Sequence, residues 1–480
     1  MMKSLSMYIN GTFDTNFTGE YTDVLNPATE EVIAKEPLGT ADDVNRAVEA
    51  AYAAQPAWER LPAVERGAYL HKIADGIRAR ADELTTTIVA EGGKTRDLAR
   101  IEVMFTADYL DYQAEWARRY EGEILQSDRP RENIFLFKRP LGVIAGILPW
   151  NFPFFLIARK MGPALVTGNT IVIKPSSFTP INCQIFSEIV DGVGLPAGVF
   201  NVVNGDNQTG SHLAGHPKVA MVSLTGSVRA GQEVMATAAP NITKVSLELG
   251  GKAPAIVLKD ADLDLAVKSI LASRVGNTGQ ICNCAERVYV HSSIKDAFTT
   301  KMMDAMKAVR YGNPSEAGKG ELDMGPLINE QAAQTVEAKV ARALEQGATL
   351  LMGGKRAKGK GYFFEPTVLV DVNNSMDIMK NETFGPVLPI ATFESLDEVI
   401  ALANDCDYGL TSSVYTNNLN EAFYVTRRLQ FGETYINREN FEAMQGFHAG
   451  WKKSGIGGAD GKHGLEEYLQ TQMVYLETNI

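Results

Sequence analysis

Between Leu141 and Gly250 short β-rich apolar runs alternate with helical ones: GVIAGILP, FFLIARKMGPALVTG, TIVIKP, INCQIFSEIVDGV, VFNVVNG, VAMVSLTG, GQEVMATAA and TKVSLELGG. Few folds accept that rhythm. Neighbouring parallel strands need a crossover between them, and the crossover helices cover both faces of the sheet. The segment is therefore predicted to be a doubly wound α/β unit. A second such series opens near Ala253, with APAIVL, a helix over Leu263–Arg274, RVYV, a helical stretch at 330–347 and TSSVY. At 480 residues the chain is long enough for more than one core, so two α/β units with the chemistry between them are expected. Ahead of them, Thr40 to Tyr120 shows helical spacing of apolar residues. The polar EGEILQSDRPREN leads into the alternating IFLFKRP, which reads as a hairpin arm, and QTQMVYLETNI reads as a terminal strand. Arm and tail are expected to form a small oligomerisation sheet.

Composition narrows the partners. A net charge of −12 surrounds the molecule with no field attractive to polyanions, which argues against nucleic acid or a membrane surface. No apolar run of spanning or signal-peptide length is present. The four cysteines, at 183, 282, 284 and 406, are too few and too scattered for a disulfide framework. A cytoplasmic protein is expected.

Several residues carry the chemistry. Cys282 lies in NTGQICNCAER, where Gly279 permits close backbone approach. A loop running into a helix start there would set amides and a dipole near the sulfur, lowering its pKa; a buried structural cysteine is the alternative. Cys284, two residues on, has neither the spacing nor the companion ligands of a zinc site, so no metal is expected. Glu248 ends the strand in SLELGG, as either a paired structural ion or a base whose pKa is raised by burial. Asn151, in PWNFP at another strand's carboxyl end, is either an oxyanion donor or a turn residue. Lys174 ends TIVIKP, where open α/β sheets bind ligands, and GSVRAG at 226–231 is predicted to start a phosphate-binding helix. GVGLPAG at 192–198 follows a helix and reads as a cap and turn. The GGK triplets at 92–94 and 353–355 lack the spacing of a P-loop.

PWNFP, IVIKPS, LTGS, LELGGK, GQICNCAER, ETFGPV and HAGWKKSG, in this order and spacing, resemble the aldehyde dehydrogenase superfamily from near residue 8 to the end. PWNFPFFLIARKM, GQICNCAERVYV and the 431–475 segment resemble its bacterial lactaldehyde/glycolaldehyde branch. The resemblance implies a Rossmann-like cofactor domain (1–120 and 139–247), an α/β catalytic domain (248–462) and a β oligomerisation arm (121–138 and 463–480). It implies NAD or NADP as coenzyme and a homo-oligomer, dimer or tetramer. Cys282 is then the nucleophile, Glu248 the general base and Asn151 the oxyanion donor. Lys174 contacts the coenzyme ribose, Trp150, Gly226 and Ser227 line the adenosine and pyrophosphate path, and Ser177, Gly205 and Thr225 are further coenzyme-binding residues. Glu382 holds the nicotinamide ribose, with Phe384 beside it.

Three positions depart from common patterns. Ser177 stands where many NAD-preferring relatives carry a glutamate that reads the adenosine ribose; a serine can donate to a 2′-phosphate, with Arg229 assisting. Coenzyme choice stays open, with NAD ahead. Arg159 and His448 stand where relatives taking apolar aldehydes carry apolar or aromatic residues. Both are expected to contact substrate, pointing to a short hydroxylated aldehyde, lactaldehyde or glycolaldehyde. Alternatively Arg159 forms a surface salt bridge and His448 is a core histidine. Competing readings are a semialdehyde dehydrogenase such as one for succinic semialdehyde, an acylating enzyme using coenzyme A, a cysteine hydrolase using Cys282 and His448, and a noncatalytic binding protein on the same fold. Glu248 argues against coenzyme A transfer.

Overall fold

The computed structural model describes residues 3–479; the outermost expected domain limits, residues 1 and 480, lie outside them. The first α/β series forms an eight-stranded sheet. Its parallel core runs, side by side, Lys244–Glu248, Val219–Thr225, Val143–Ile147, Thr170–Lys174 and Phe200–Val202. In chain order this is 5-4-1-2-3, so the winding reverses between Val143–Ile147 and Val219–Thr225. A crevice outside the carboxyl ends of such strands is where open sheets of this kind bind ligands. Short antiparallel strands close both edges: Gly455–Ile456 beside Lys244–Glu248, and Tyr8–Ile9 with Thr12–Phe13 beside Phe200–Val202.

Strand side chains alternate between two cores. Ile171 and Ile173 pack on one face with the Pro153–Val166 helix, whereas Val172 packs on the other with Val44, Ala47 and Val48 of the Ala41–Arg60 helix. Because both faces are covered, the strands read as continuous apolar runs.

The second series builds a seven-stranded sheet ordered Thr349–Met352, Thr367–Val370, Val387–Phe393, Ala285–His291, Ala253–Val257, Thr411–Tyr415 and Glu433–Ile436. All neighbours are parallel except the first pair. Alternation again divides two cores, Ile256 and Tyr289 on one face, Ala255, Val257, Val288 and Val290 on the other. The passage between sheets is short, since Glu248 ends one strand and Ala253 begins the next. Carboxyl ends of the first sheet are thereby set against amino ends of the second.

A third sheet joins Glu123–Leu125, Glu132–Pro140 and Leu469–Glu477, all antiparallel, with Leu469 opposite Pro140 and Glu477 opposite Glu132. Among the described residues no helix is long and apolar enough to cross a membrane.

Candidate active site

Four strand ends of the first sheet supply the floor of one pocket and its surroundings. Asn151 follows Val143–Ile147 by four residues; Lys174, Thr225 and Glu248 each terminate a strand. Thr225 and Glu248 are direct partners in the parallel ladder, and the Thr225 hydroxyl donates to Glu248 Oε2 at 2.8 Å. Asn151, Arg159, Thr225, Glu248, Cys282 and His448 line a single pocket whose outer part is apolar, with Leu98, Ile101, Phe105, Phe155 and Phe441.

Cys282 arrives from the second sheet. It lies between the 3-10 turn Gly276–Gly279 and the strand Ala285–His291. The expected helix start is therefore absent: the loop runs into a strand. Asn277, Thr278 and Gly279 take positive φ of 45°, 60° and 73° in succession, a conformation that L residues adopt at a cost and that sequence patterns do not reveal. Buried contacts hold it, among them Thr278 Oγ1 donating to the Gly325 carbonyl at 3.0 Å and Arg274 Nη2 to that of Gly279 at 2.6 Å. Burial pushes the Cys282 thiol above its ordinary value, and the neighbouring His448 ring, within hydrogen-bonding reach, works against that rise.

Glu248 is buried, yet it is not the raised-pKa carboxyl that burial alone suggests. Desolvation does push it up. Arg159, Lys160 and His448 outweigh that push and bring it down to about 2. Its Oε1 has no hydrogen-bond partner and sits 4.0 Å from Arg159 Nε. Glu248 is thus a charged carboxylate with one oxygen free.

Arg159 is 5% exposed and makes no surface salt bridge. It pairs with Asp460, through Nε to Oδ1 at 3.1 Å and through Nη2 to Oδ2, and Nη2 lies 3.4 Å from Glu442. Glu442 accepts a 2.6 Å bond from Asn283 Nδ2. His448 is buried with Nδ1 2.6 Å from Glu433 Oε1. Desolvation and Arg159 oppose its protonation, but Cys282, Glu433 and Glu442 prevail and hold its pKa well above the ordinary value. Sequence reading missed Glu442, Asp460, Glu433 and Asn283. Glu442, Asp460 and Asn283 come from loops whose only signal was proximity in sequence to His448 or Cys282, and Glu433 from the start of the strand Glu433–Ile436.

Asn151 Nδ2 donates to the Gln280 carbonyl at 3.0 Å, which ties the amide to the nucleophile's loop and leaves the second N–H of the group for another acceptor.

The residues assigned to the coenzyme fall into two clusters. Lys174, Ser227 and Arg229 line a second pocket with Asp206, Gly210 and Ser211. The helix Val228–Ala238 opens beside it on Ser227, whose Oγ caps the Ala230 amide at 3.2 Å, so the helix presents its positive end there. Ser177 donates to the carbonyl of Gly205 at 2.9 Å. Behind it lies Glu36, fully buried and unforeseen from sequence. Burial raises Glu36 to about 7 although Lys174 and hydrogen bonds from Asn204 and Ser177 oppose it. The second cluster sets Trp150 edge-on to Phe384, ring centroids 5.6 Å apart, beside Glu382, which accepts from the Gly251 amide at 3.0 Å. A Cβ at Gly250 would lie 2.3 Å from Glu382 Oε2, so the glycine makes room for that carboxylate. A helix N-terminus with a lysine near it and, in a separate cluster, a partly buried carboxylate are groups of the kind a dinucleotide needs. No group of three His, Cys, Asp or Glu among the described residues could hold a metal ion.

Pocket, paired sheets and sulfur-bearing loop define an NAD(P)-type oxidoreductase scaffold, and the chain belongs to the aldehyde dehydrogenase family, whose model, "Aldehyde dehydrogenase family", matches residues 15–474. It is an enzyme of that class, an aldehyde dehydrogenase. The chain is 65% identical over 473 residues to lactaldehyde dehydrogenase of Escherichia coli K12, covering 98% of each protein. It is 45% identical over 480 residues to 3,6-anhydro-alpha-L-galactose dehydrogenase of Vibrio sp. EJY3, covering 99% of each. Among solved structures, one of lactaldehyde dehydrogenase is similar with a TM-score of 0.98 and 64% identity over 100% of both chains.

Proposed function

We propose that the protein oxidises a small 2-hydroxy-aldehyde, lactaldehyde or glycolaldehyde, to the carboxylic acid with NAD or NADP. The observation carrying this reading is the buried polar cluster of Arg159, Glu442, Asn283 and His448 in the same pocket as Cys282. Such groups can hydrogen-bond a hydroxyl beside the reacting carbon, whereas an alkyl chain set among them would desolvate them and offer no partner in return. The similarity to lactaldehyde dehydrogenase supports it.

In this reading Cys282 is the nucleophile: the thiol first gives up its proton to solvent, its sulfur then bonds to the aldehyde carbon, and the carbonyl electron pair moves onto oxygen. The free N–H of Asn151 and the Cys282 amide donate to that oxygen. A nicotinamide coenzyme, when bound, supplies the hydride acceptor. Loss of hydride leaves the acyl group on Cys282 as a thioester. Glu248 takes a proton from the water that attacks it, and the acid departs as the thiol is restored. Glu248 is held in its charged form for this step. Lys174, Ser177, Gly205, Thr225, Gly226 and Ser227 lie along the adenosine and pyrophosphate path, while Trp150, expected on that path from sequence, stands edge-on to Phe384 and is read instead with it and Glu382 at the nicotinamide end. The coenzyme domain is then 1–120 and 139–247, the catalytic domain 248–462 and the arm 121–138 with 463–480, in a cytoplasmic homo-oligomer.

A semialdehyde is less well supported. Arg159 already faces Asp460, Glu442 and Glu248, so a further carboxylate would enter a site rich in negative charge. For the coenzyme, NAD stands ahead: the buried Glu36 beside Ser177 restores a carboxylate near the adenosine ribose and would repel a 2′-phosphate when ionised. The test is a kinetic panel of lactaldehyde, glycolaldehyde, succinic semialdehyde and propanal with each coenzyme, followed at the absorbance of the reduced nicotinamide. The hydroxy-aldehydes with NAD should show the highest kcat/KM. A preference for succinic semialdehyde would overturn the substrate, and a preference for NADP above tenfold the coenzyme.

A further inference from the structure

The Gly92-Gly93-Lys94 triplet, without a role as a phosphate loop, occupies the back of the active-site wall. Gly93 ends the helix Ala81–Gly92 with φ of 66°, and its tight contact with Pro326 and Pro27 leaves no space for a side chain. That turn sends Lys94 inward, where it is 2% exposed. Lys94 Nζ donates to Glu102 Oε2 at 2.5 Å and to the Asn151 carbonyl at 2.7 Å, and it lies 3.7 Å from the centre of the Phe152 ring.

Glu102, on the helix Arg96–Ala114, uses its other oxygen. Oε1 accepts from the amides of Phe154 at 3.0 Å and Phe155 at 3.2 Å. These belong to the first turn of Pro153–Val166, a helix whose N-cap, Phe152, offers no side-chain cap. Glu102 therefore caps that helix from a different element. One buried ion pair grips the chain at the Asn151–Phe152 peptide and again just downstream of it, at the amides of Phe154 and Phe155. Asn277 Nδ2 adds a longer 3.3 Å bond to the Asn151 carbonyl from the nucleophile's own loop.

The geometry points to Lys94 and Glu102 as positioning residues that fix the Asn151 amide where the oxyanion develops, a role that rests on reading Asn151 as the oxyanion donor. Such a donor acts only within a few tenths of an ångström of its place, and a backbone held at the Asn151 carbonyl and again at the Phe154 and Phe155 amides is restrained there. Neither residue lines the coenzyme pocket bounded by Lys174 and Arg229.

The test is a double-mutant cycle on the full-length enzyme with Asn151→Ala, Lys94→Met and the pair, reading kcat with lactaldehyde and the dissociation constant of NAD by fluorescence. Asn151→Ala should lower kcat roughly 100-fold. Lys94→Met should lower it about tenfold or more with NAD affinity unchanged, and Lys94→Arg should recover part of the loss. In the Asn151→Ala background Lys94→Met should then lower kcat little further. Losses that multiply, or Lys94→Met retaining full kcat, would overturn the proposal while leaving Asn151 as donor. Full kcat in Asn151→Ala would instead remove the donor reading, and the positioning role with it. If Lys94→Met does not fold, Glu102→Gln, which keeps an oxygen acceptor for the helix amides but loses the charge, takes its place in the same cycle.

Discussion

Glu248 carries its charge because three cationic neighbours overcome its burial, and Cys282 keeps its proton because burial outweighs one. The two shifts give the pH dependence a definite shape. Glu248, at about 2, is ionised across the working range and contributes no limb near the ordinary carboxylate value of 4.5. The thiol must lose its proton to react, and its pKa is raised, so kcat/KM should climb with pH into the alkaline range. Alkylation of Cys282 by iodoacetamide should climb in parallel. A limb near pH 6 in both measurements would contradict this. Arg159 and His448 belong to the same charge balance. Arg159→Leu should reduce kcat/KM for lactaldehyde roughly 10- to 100-fold and that for propanal less, since a charge-assisted hydrogen bond contributes about 1.5–3 kcal/mol. His448→Phe should act in the same direction. Equal losses for both aldehydes in steady-state kinetics would mean neither residue senses the hydroxyl. Cys282, Glu248 and Asn151 could be singled out from sequence because each stands in a motif, Glu248 and Asn151 at or just after the carboxyl end of a strand and Cys282 in the loop before one. Glu442 and Asp460 could not, because the charge that makes Arg159 tolerable in the interior comes from loops distant in sequence, and Glu433 could not, because nothing local shows that the start of its strand meets His448.

Turns and strand ends place these side chains. Gly251 lies directly beneath the nucleophile's loop, where a Cβ would fall 2.2 Å from the Cys282 carbonyl oxygen. Gly251→Ala must displace one backbone or the other, and kcat should fall at least about tenfold, consistent with the sensitivity of reacting geometry to a displacement near 1 Å. Wild-type turnover in that variant would show that the loop has slack. Nearby, Glu286 on the strand Ala285–His291 ties Lys252 at 2.6 Å to Arg274 at 2.9 Å, all three fully buried, and accepts from the amides of Thr383 and Phe384. Desolvation raises Glu286, but the two cations pull it down to about 2. A depressed carboxyl stabilises the fold fully above its unfolded value of 4.5, and that contribution is lost as pH falls from there toward 2. Urea midpoints should therefore drop over this window, and Glu286→Gln, which leaves two buried cations unpaired, should cost about 3–5 kcal/mol at neutral pH and flatten the drop. Element types followed from periodicity, as in the strand Thr170–Lys174 and the helix Pro153–Val166. The turn Asn277–Gly279 did not, since non-glycine residues at positive φ leave no mark in composition or spacing.

In the whole molecule, the three-stranded sheet exposes Ile124 (75%), Tyr475 (61%) and Phe137 (47%), a concentration of apolar side chains that a solvated edge does not favour. Light scattering should give the mass of a dimer or tetramer, and Ile124→Glu with Tyr475→Glu should shift it toward monomer; a monomeric native protein would reject the oligomer. The same scale separates what sequence decided from what it did not. Alternating apolar runs determined two parallel sheets, because a strand buried on both faces has no other pattern open to it. Motif order determined the family, and the residue types at positions 282, 248 and 151 determined the chemistry on offer. Only the tertiary structure decided that the carboxyl ends of one sheet face the amino ends of the other, that Arg159 enters the interior already neutralised, and that Lys94 reaches across to the Asn151 loop. Local periodicity reports which face of an element is buried, whereas a site's electrostatics depend on charges brought together from opposite ends of the chain.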